Sequence, residues 1–193
     1  MKIAIIKYNA GNIQSVAFAL ERLGIKPAIT DDPEIIQKAD KVIFPGVGEA
    51  SSTMNYLRQS KLDVLIPNLK QPVLGICLGM QLMCSFSTEG NTPCLGIFDE
   101  KVEKFPPGNK VPHVGWNNIN NLKSPLFKGL PENSYVYFVH SYFVNQNFYS
   151  IAECNYIKPF SAALQKNNFF ATQFHPERSG KTGEIILKNF IAL

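Results

Sequence analysis

The sequence predicts an α/β protein: an open, mainly parallel, twisted sheet with helices on both faces and an antiparallel extension. Three observations predict it. Through the first half of the chain, short apolar runs alternate with helix-periodic segments, the pattern of strand–helix–strand units. The runs Ile3-Ala4-Ile5-Ile6 and Val73-Leu74-Gly75-Ile76 show no polar alternation, as strands buried on both faces require. Beyond Gly96, apolar residues stand singly among Gly, Pro and Asn, which suggests short strands and hairpins.

Residues 2–7 form the first strand. Tyr8-Asn9-Ala10-Gly11-Asn12 is a loop, with Asn12 a candidate cap for a helix whose apolar positions are Ile13, Val16, Ala17, Leu20 and Leu23 and which Gly24 closes. Residues 26–29 make a short second strand. Asp31-Asp32-Pro33-Glu34 starts a second helix with a cap, a proline in the first turn and an acid that complements the dipole. Residues 41–44 are a third strand leading into the loop Pro45-Gly46-Val47-Gly48-Glu49, and helical pieces over 50–59 and 62–69 precede a strand at 73–76. After Cys77 a helical pattern runs through Leu78, Gln81, Leu82, Ser85 and Phe86. Pro131-Glu132-Asn133 turns the chain into a strand over 135–139 that ends at His140-Ser141-Tyr142. Residues 143–152, 162–165 and 169–174 read as further strands, the last ending at His175-Pro176-Glu177. An amphipathic helix over 182–192 turns Ile185, Ile186, Leu187 and Phe190 inward. No linker, repeat or low-complexity tract divides the chain, so residues 1–193 are expected to form one domain.

Composition narrows the function classes. With 45% apolar and 18% charged residues this is an ordinary globular chain, and no run approaches the ~18 apolar residues that would span a bilayer. The N-terminal apolar run stops at Lys7 without a small-residue cleavage site, so it reads as a strand and the protein as cytoplasmic. The net charge of +4 is spread over scattered lysines and arginines, not a dense basic run that would follow a phosphate backbone; no nucleic acid and no membrane is expected as partner. The four cysteines lack Cys-x-x-Cys spacing, which fits reduced thiols and neither a disulfide framework nor a metal site.

The chemistry centres on Gly75-Ile76-Cys77-Leu78-Gly79. A strand that stops on a reactive side chain and turns at once into a helix needs small residues two positions to either side, because a side chain there would meet the opposing backbone. Cys77 would then stand at a helix N-terminus, where unpaired N–H groups and the dipole favour thiolate. A buried core cysteine is the plain alternative; the glycine frame argues against it. A cysteine nucleophile needs a base, and three histidines are available: His113, His140 and His175. Only His175 has a carboxylate two residues on. In an extended segment positions i and i+2 point the same way, so Glu177 would accept from Nδ1–H and leave Nε2 for the thiol. The oxyanion formed by attack on a carbonyl calls for backbone donors: Leu78 at the helix start, and the turn containing Val47 and Gly48. In parallel sheets ligands bind beyond the carboxyl ends of strands, where the 9–12 loop, the Pro45-Gly46-Val47-Gly48 turn and Cys77 all fall. Gly180-Lys181-Thr182 mimics the tail of a phosphate loop, but His175 occupies the place of its first glycine.

With Gly75-Ile76-Cys77-Leu78-Gly79-Met80-Gln81 and His175-Pro176-Glu177 in place, the chain resembles the triad (class I) glutamine amidotransferases over nearly its whole length. Tyr8-Asn9-Ala10-Gly11-Asn12, Pro45-Gly46-Val47-Gly48, Pro112-His113-Val114-Gly115-Trp116-Asn117, Tyr137-Phe138-Val139-His140-Ser141-Tyr142 and Ala171-Thr172-Gln173-Phe174-His175-Pro176-Glu177-Arg178-Ser179-Gly180 narrow the likeness to the glutaminase subunits that serve a cyclase of histidine biosynthesis. The resemblance implies a flavodoxin-like sheet, hydrolysis of L-glutamine to glutamate and ammonia, no cofactor, and a catalytic triad of Cys77, His175 and Glu177. It also implies substrate-binding roles for Gly46, Gln81, Glu89, His140, Ser141 and Tyr142, with Glu89 facing the α-ammonium and His140-Ser141-Tyr142 the α-carboxylate. The implied partner is a (β/α)₈-barrel cyclase in a heterodimer, met by Asn12, Trp116, Asn117 and Arg178. The chain departs from many relatives at Lys7-Tyr8-Asn9, where they carry Asp-Tyr-Gly, and a lysine cannot copy a carboxylate's contacts. A paralogue feeding another acceptor, such as an amidino sugar, a silent binding subunit and a stand-alone cysteine hydrolase are the competing readings. The joint presence of thiol, base and carboxylate argues against the silent one.

Overall fold

The computed structural model describes residues 1–8, 12–108 and 110–193. Its central sheet has seven strands. In chain order the strands are β1 (Ile3–Ile6), β2 (Ala28–Thr30), β3 (Lys41–Gly46), β4 (Val73–Cys77), β5 (Phe86–Ser87), β6 (Thr92–Pro93), β7 (Lys101–Lys104), β8 (His113–Ile119), β9 (Ser134–His140), β10 (Tyr142–Val144), β11 (Ser150–Tyr156), β12 (Lys158–Lys166) and β13 (Phe169–Thr172). The helices are α1 (Ile13–Arg22), α2 (Pro33–Lys38), α3 (Ala50–Gln59), α4 (Leu62–Leu65), α5 (Leu78–Met83) and α6 (Gly180–Ala192). The large sheet runs β11-β12-β13-β4-β3-β1-β2, parallel from β13 to β2 and antiparallel at β12 and β11. The remaining strands make a four-stranded sheet, β10-β7-β5-β6, and the β8–β9 hairpin.

The continuous apolar strands are explained by two cores. Ile3, Ile5, Ile43, Leu74 and Ile76 face one, which α1 and α6 cover through Val16, Leu20, Ile186 and Phe190. Ala4, Ile6, Val42, Phe44 and Val73 alternate to the other, under Ile36 of α2, Met54 and Leu57 of α3 and Met80 of α5. Asp32 caps α2 by accepting from the Glu34 N–H at 2.8 Å. Gly24, at φ +79°, ends α1, its N–H reaching the Glu21 carbonyl while the Ile25 N–H reaches that of Leu20.

Several expectations are corrected. The second strand lies at Ala28–Thr30, and the third continues through Pro45 and Gly46 because both pair with β4, Gly46 opposite Cys77. The helix after Cys77 stops at Met83; Phe86 instead pairs in a small sheet with Pro93 and Lys101. The expected strand over 143–152 is two, β10 and β11, parted by a turn in which Asn147 bonds the Tyr149 N–H, the Ser150 hydroxyl and the Asn145 carbonyl. Ile185 is only half-buried. Asn12 precedes α1, but its side chain makes no capping bond. The residues 9–11 expected in the first loop lie outside the described ones.

Candidate active site

Cys77 ends β4 at φ 54°, ψ −108°, a conformation L residues rarely hold, and α5 begins at the next residue. The turn is possible because α5 lies against β3. A Cβ at Gly79 would overlap the Phe44 carbonyl oxygen, and one at Gly75 would come to 3.1 Å of the α5 backbone and 2.8 Å of the Met83 sulfur. The need for small residues on both flanks is thus met by two named contacts. Tyr8, read from the sequence only as part of a loop motif, is buried below with its hydroxyl 2.5 Å from the Pro45 carbonyl; burial, and then the nearby Cys77, push its pKa well up.

The base arrives on the neighbouring strand. β13 runs parallel to β4 with Thr172 opposite Ile76, so the chain leaves both strands at the same edge of the sheet. His175 is fixed there by its N–H to the Tyr137 carbonyl (2.9 Å) and by its carbonyl, which accepts from the Ser179 hydroxyl (2.6 Å). His175 Nδ1 lies 2.8 Å from Glu177 Oε1. The pairing is the one the sequence suggests, but its route differs. Pro176–Arg178 is a 3₁₀ turn, so the carboxylate folds back beneath the ring instead of standing beside it on a strand.

Burial alone would lower the His175 pKa; the adjacent Cys77, as charge and as hydrogen-bond partner, and then Glu177 outweigh it and push it up to about 10 from 6.5. The sign follows: the unfolded ring loses its proton near 6.5 and the folded one near 10, so the stabilisation is complete below 6.5 and fades as pH rises towards 10. In Cys77→Ala the largest raising cause is gone, and NMR titration of the ring should give a clearly lower pKa than in the wild type.

Asn12 completes the group. It is buried; its Nδ2 donates to Glu177 Oε1 and lies 3.3 Å from His175 Nδ1, and its Oδ1 faces Arg178 Nη2 at 3.4 Å. The expected place of Asn12 on a partner-facing surface is therefore not where its side chain goes. Asn12→Ala leaves Glu177 Oε1 one donor short in a buried site, and kcat should fall about ten-fold with the fold retained. Steady-state kinetics beside a circular dichroism spectrum checks this.

A cavity of about 290 Å³ opens in front of the sulfur, lined by Val47, Gly48, Cys77, Leu78, Gln81, Glu89, Pro112, Val139, His140, Ser141, Tyr142, His175 and Arg178. Gly46 is not among them. It lies in β3, where a Cβ would come within 2.5–2.7 Å of Tyr8, Leu78 and Gly79, so its part is close packing under the turn. Glu177 sits behind His175 and borders a separate groove between α1 and α6.

A family model described as class I glutamine amidotransferase matches residues 4–193 of this chain. The chain belongs to the class I glutamine amidotransferase family. Among curated relatives, the imidazole glycerol phosphate synthase subunit HisH of Bacteroides fragilis (strain YCH46) is 62% identical over 100% of both chains. The HisH of Haemophilus influenzae (strain Rd) is 50% identical over 99% of this chain and 97% of its own. Of solved structures, PurLQS from Thermotoga maritima superposes with a TM-score of 0.77 at 16% identity, covering 99% of this chain and 97% of that one. A further glutamine amidotransferase gives 0.76 at 17%, covering 98% and 97%. At that identity the likeness speaks for the fold.

In this amidotransferase the cavity is chemically two-sided. Glu89 is half-buried at one side, its Oε2 accepting from the Ala50 N–H at 2.8 Å; desolvation raises its pKa, against that bond, with Glu49 adding to the rise. Ser141 and Tyr142 line the cavity as well. Gln81 turns its amide nitrogen away, to the Tyr142 carbonyl (3.0 Å) and Gln173 Oε1 (3.1 Å). Gln173, also missed in the sequence, is fully buried with Nε2 3.8 Å from Cys77 Sγ. The His140 side chain is turned into aromatic packing, leaving its backbone to the wall. Among the described residues no helix is long and apolar enough to cross a membrane.

Proposed function

We propose that the chain, acting as one glutamine amidotransferase type 1 domain over residues 1–193, is the ammonia-supplying subunit of an imidazole glycerol phosphate synthase in histidine biosynthesis. The observation that carries it is the strained Cys77 turn opening on one cavity with His175, whose far nitrogen is held by Glu177. The names borne by relatives of 50–62% identity point to the same synthase.

The steps follow from the placement. The Cys77 thiolate adds to the γ-carboxamide carbon of glutamine, and the resulting oxyanion meets the backbone at Val47, Gly48 and Leu78. The carbon–nitrogen bond breaks as His175 gives its proton to the departing nitrogen, leaving ammonia and a thioester. His175 then takes a proton from water, whose oxygen attacks the thioester carbon; the second tetrahedral species expels the thiolate and glutamate leaves. Glu177 and Asn12 hold the ring through both transfers. Glu89 receives the α-ammonium, and the main chain at Ser141 and Tyr142 faces the α-carboxylate, with Gln81 between them.

The ammonia acceptor sits on a (β/α)₈-barrel cyclase partner. On the β8–β9 hairpin Val114, Trp116 and Tyr135 share one face and are 54–59% exposed. An apolar face of this kind on a small chain marks an interface, and Arg178, exposed at the cavity mouth, continues it. Asn117 is on the other face, where its amide bonds the Asn155 carbonyl at 3.1 Å, so this reading assigns the interface to Trp116 and Arg178. Trp116→Ala should weaken cyclase binding by about 2 kcal/mol, roughly thirty-fold in Kd, by calorimetry. Ammonia release from glutamine, measured with and without the barrel cyclase, tests the function. A rate that requires glutamine and rises with the cyclase supports it; indifference to the cyclase refutes the partner, and no release in either case refutes the glutaminase.

A further inference from the structure

Two of the three histidines take no part in the proton transfers above. His113 begins β8, His140 ends β9, and the hairpin register sets them opposite each other. Both are buried. His113 lies flat between Tyr156 and Phe138, ring centroids 3.9 and 4.8 Å away, and Phe105 and Phe160 close around His140. Imidazoles in such packing are costly unless their nitrogens find partners, and phenylalanine would fill the space without that demand.

The partners they find form a chain of fixed direction. His140 Nδ1 lies 2.8 Å from the Tyr142 carbonyl oxygen, which can only accept, so Nδ1 carries the proton. In the neutral ring Nε2 must then accept. The atom it meets, at 3.0 Å, is His113 Nδ1, which therefore donates. His113 Nε2 is left as an acceptor and faces Asn117 Nδ2 at 3.4 Å. Both rings are neutral: burial pushes His113 down to about 4 and His140 down to about 3. Every donor points the same way, from Asn117 through His113 and His140 to the cavity wall.

That wall is where the substrate is held. The Tyr142 carbonyl also accepts from Gln81 Nε2, which donates in addition to Gln173, the neighbour of the Cys77 sulfur. With its amide hydrogens committed, Gln81 has its oxygen left for the cavity. We propose that His113 and His140 are positioning residues, a one-way hydrogen-bond relay that fixes the Tyr142 carbonyl and, through it, the Gln81 carboxamide. Its consequence for catalysis rests on the glutaminase reading; its direction rests on the ring geometry and on both rings being neutral.

Nitrogen NMR of ¹⁵N-histidine-labelled wild type reads the direction, since only three rings need assigning. Both His113 and His140 should carry the proton on Nδ1 and stay neutral down to about pH 5. Either ring protonated on Nε2, or titrating near its ordinary value, overturns the relay. Kinetics read the consequence. His113→Phe keeps the stacking and removes the donor, so KM for glutamine should rise about ten-fold with kcat within about two-fold; His113→Asn, which keeps a donor near the Nδ1 position, should stay within about two-fold in both. His113→Phe matching wild type, or His113→Asn as impaired as His113→Phe, overturns it. If His113→Phe does not fold, the wild-type ring spectra decide. A wild type that releases no ammonia sinks the glutaminase reading, and the spectra still decide the relay.

Discussion

Cys77→Ala should release no ammonia from glutamine above background, a loss of roughly 10⁴-fold or more, while keeping the wild-type circular dichroism spectrum. The size of the effect follows from the chemistry: without the sulfur there is no acyl intermediate, and His175 has only water to activate across a cavity shaped for a covalent step. The fold should survive because alanine removes one atom from the turn, and the sulfur's contacts with the Val139 carbonyl and Gln173 Nε2 are long, 3.6 and 3.8 Å. Cys84 and Cys154 cannot substitute. Both are buried, and burial pushes the Cys84 thiol well up and the Cys154 thiol up to about 12. Residual activity in Cys77→Ala under a stoichiometric assay would count against the nucleophile.

Gly79→Ala should be among the most damaging single-methyl changes, about 3 kcal/mol by denaturant midpoint, with glutaminase activity lost alongside. The added Cβ would overlap the Phe44 carbonyl oxygen, and neither a β3 carbonyl nor the first turn of α5 can yield. Moving α5 outward would carry Leu78 and the Cys77 turn with it. Gly75→Ala gives the contrast. Its tightest neighbour is the Met83 sulfur at 2.8 Å, the end of a flexible side chain, so its cost should be visibly smaller. Equal damage at both positions would mean that the tightness of the turn is not what makes Gly79 necessary.

These two sites also show why part of the molecule could be read early. A strand, a reactive residue and a helix that touch in sequence leave a local signature, and the glycines at 75 and 79 are that signature. His175 and Glu177 are two residues apart, so their pairing was legible although the turn that produces it was not; proline at 176 was the cue. Long-range partners left no trace. Asn12 meets Glu177 across 165 positions, and Gln173 reaches Cys77 across 96. His113 and His140 meet only because a hairpin register sets them opposite, which no spacing in one sequence reveals. In the fold, parallel strands buried on both faces announced themselves as unbroken apolar runs. The short strands outside that sheet core did not, because their ends are set by turn side chains such as Asn147 and by pairing with distant segments, as at Phe86.

The proposed chemistry requires Cys77 to be the one thiol that attacks the glutamine carboxamide. The most direct measurement is mass spectrometry of the intact protein, then of its peptides, after exposure to a glutamine analogue bearing an electrophilic ketone in place of the amide. A single adduct on Cys77, slowed by excess glutamine and absent at the half-exposed Cys94, is the predicted result. An adduct on another residue, or labelling that glutamine does not slow, would contradict it.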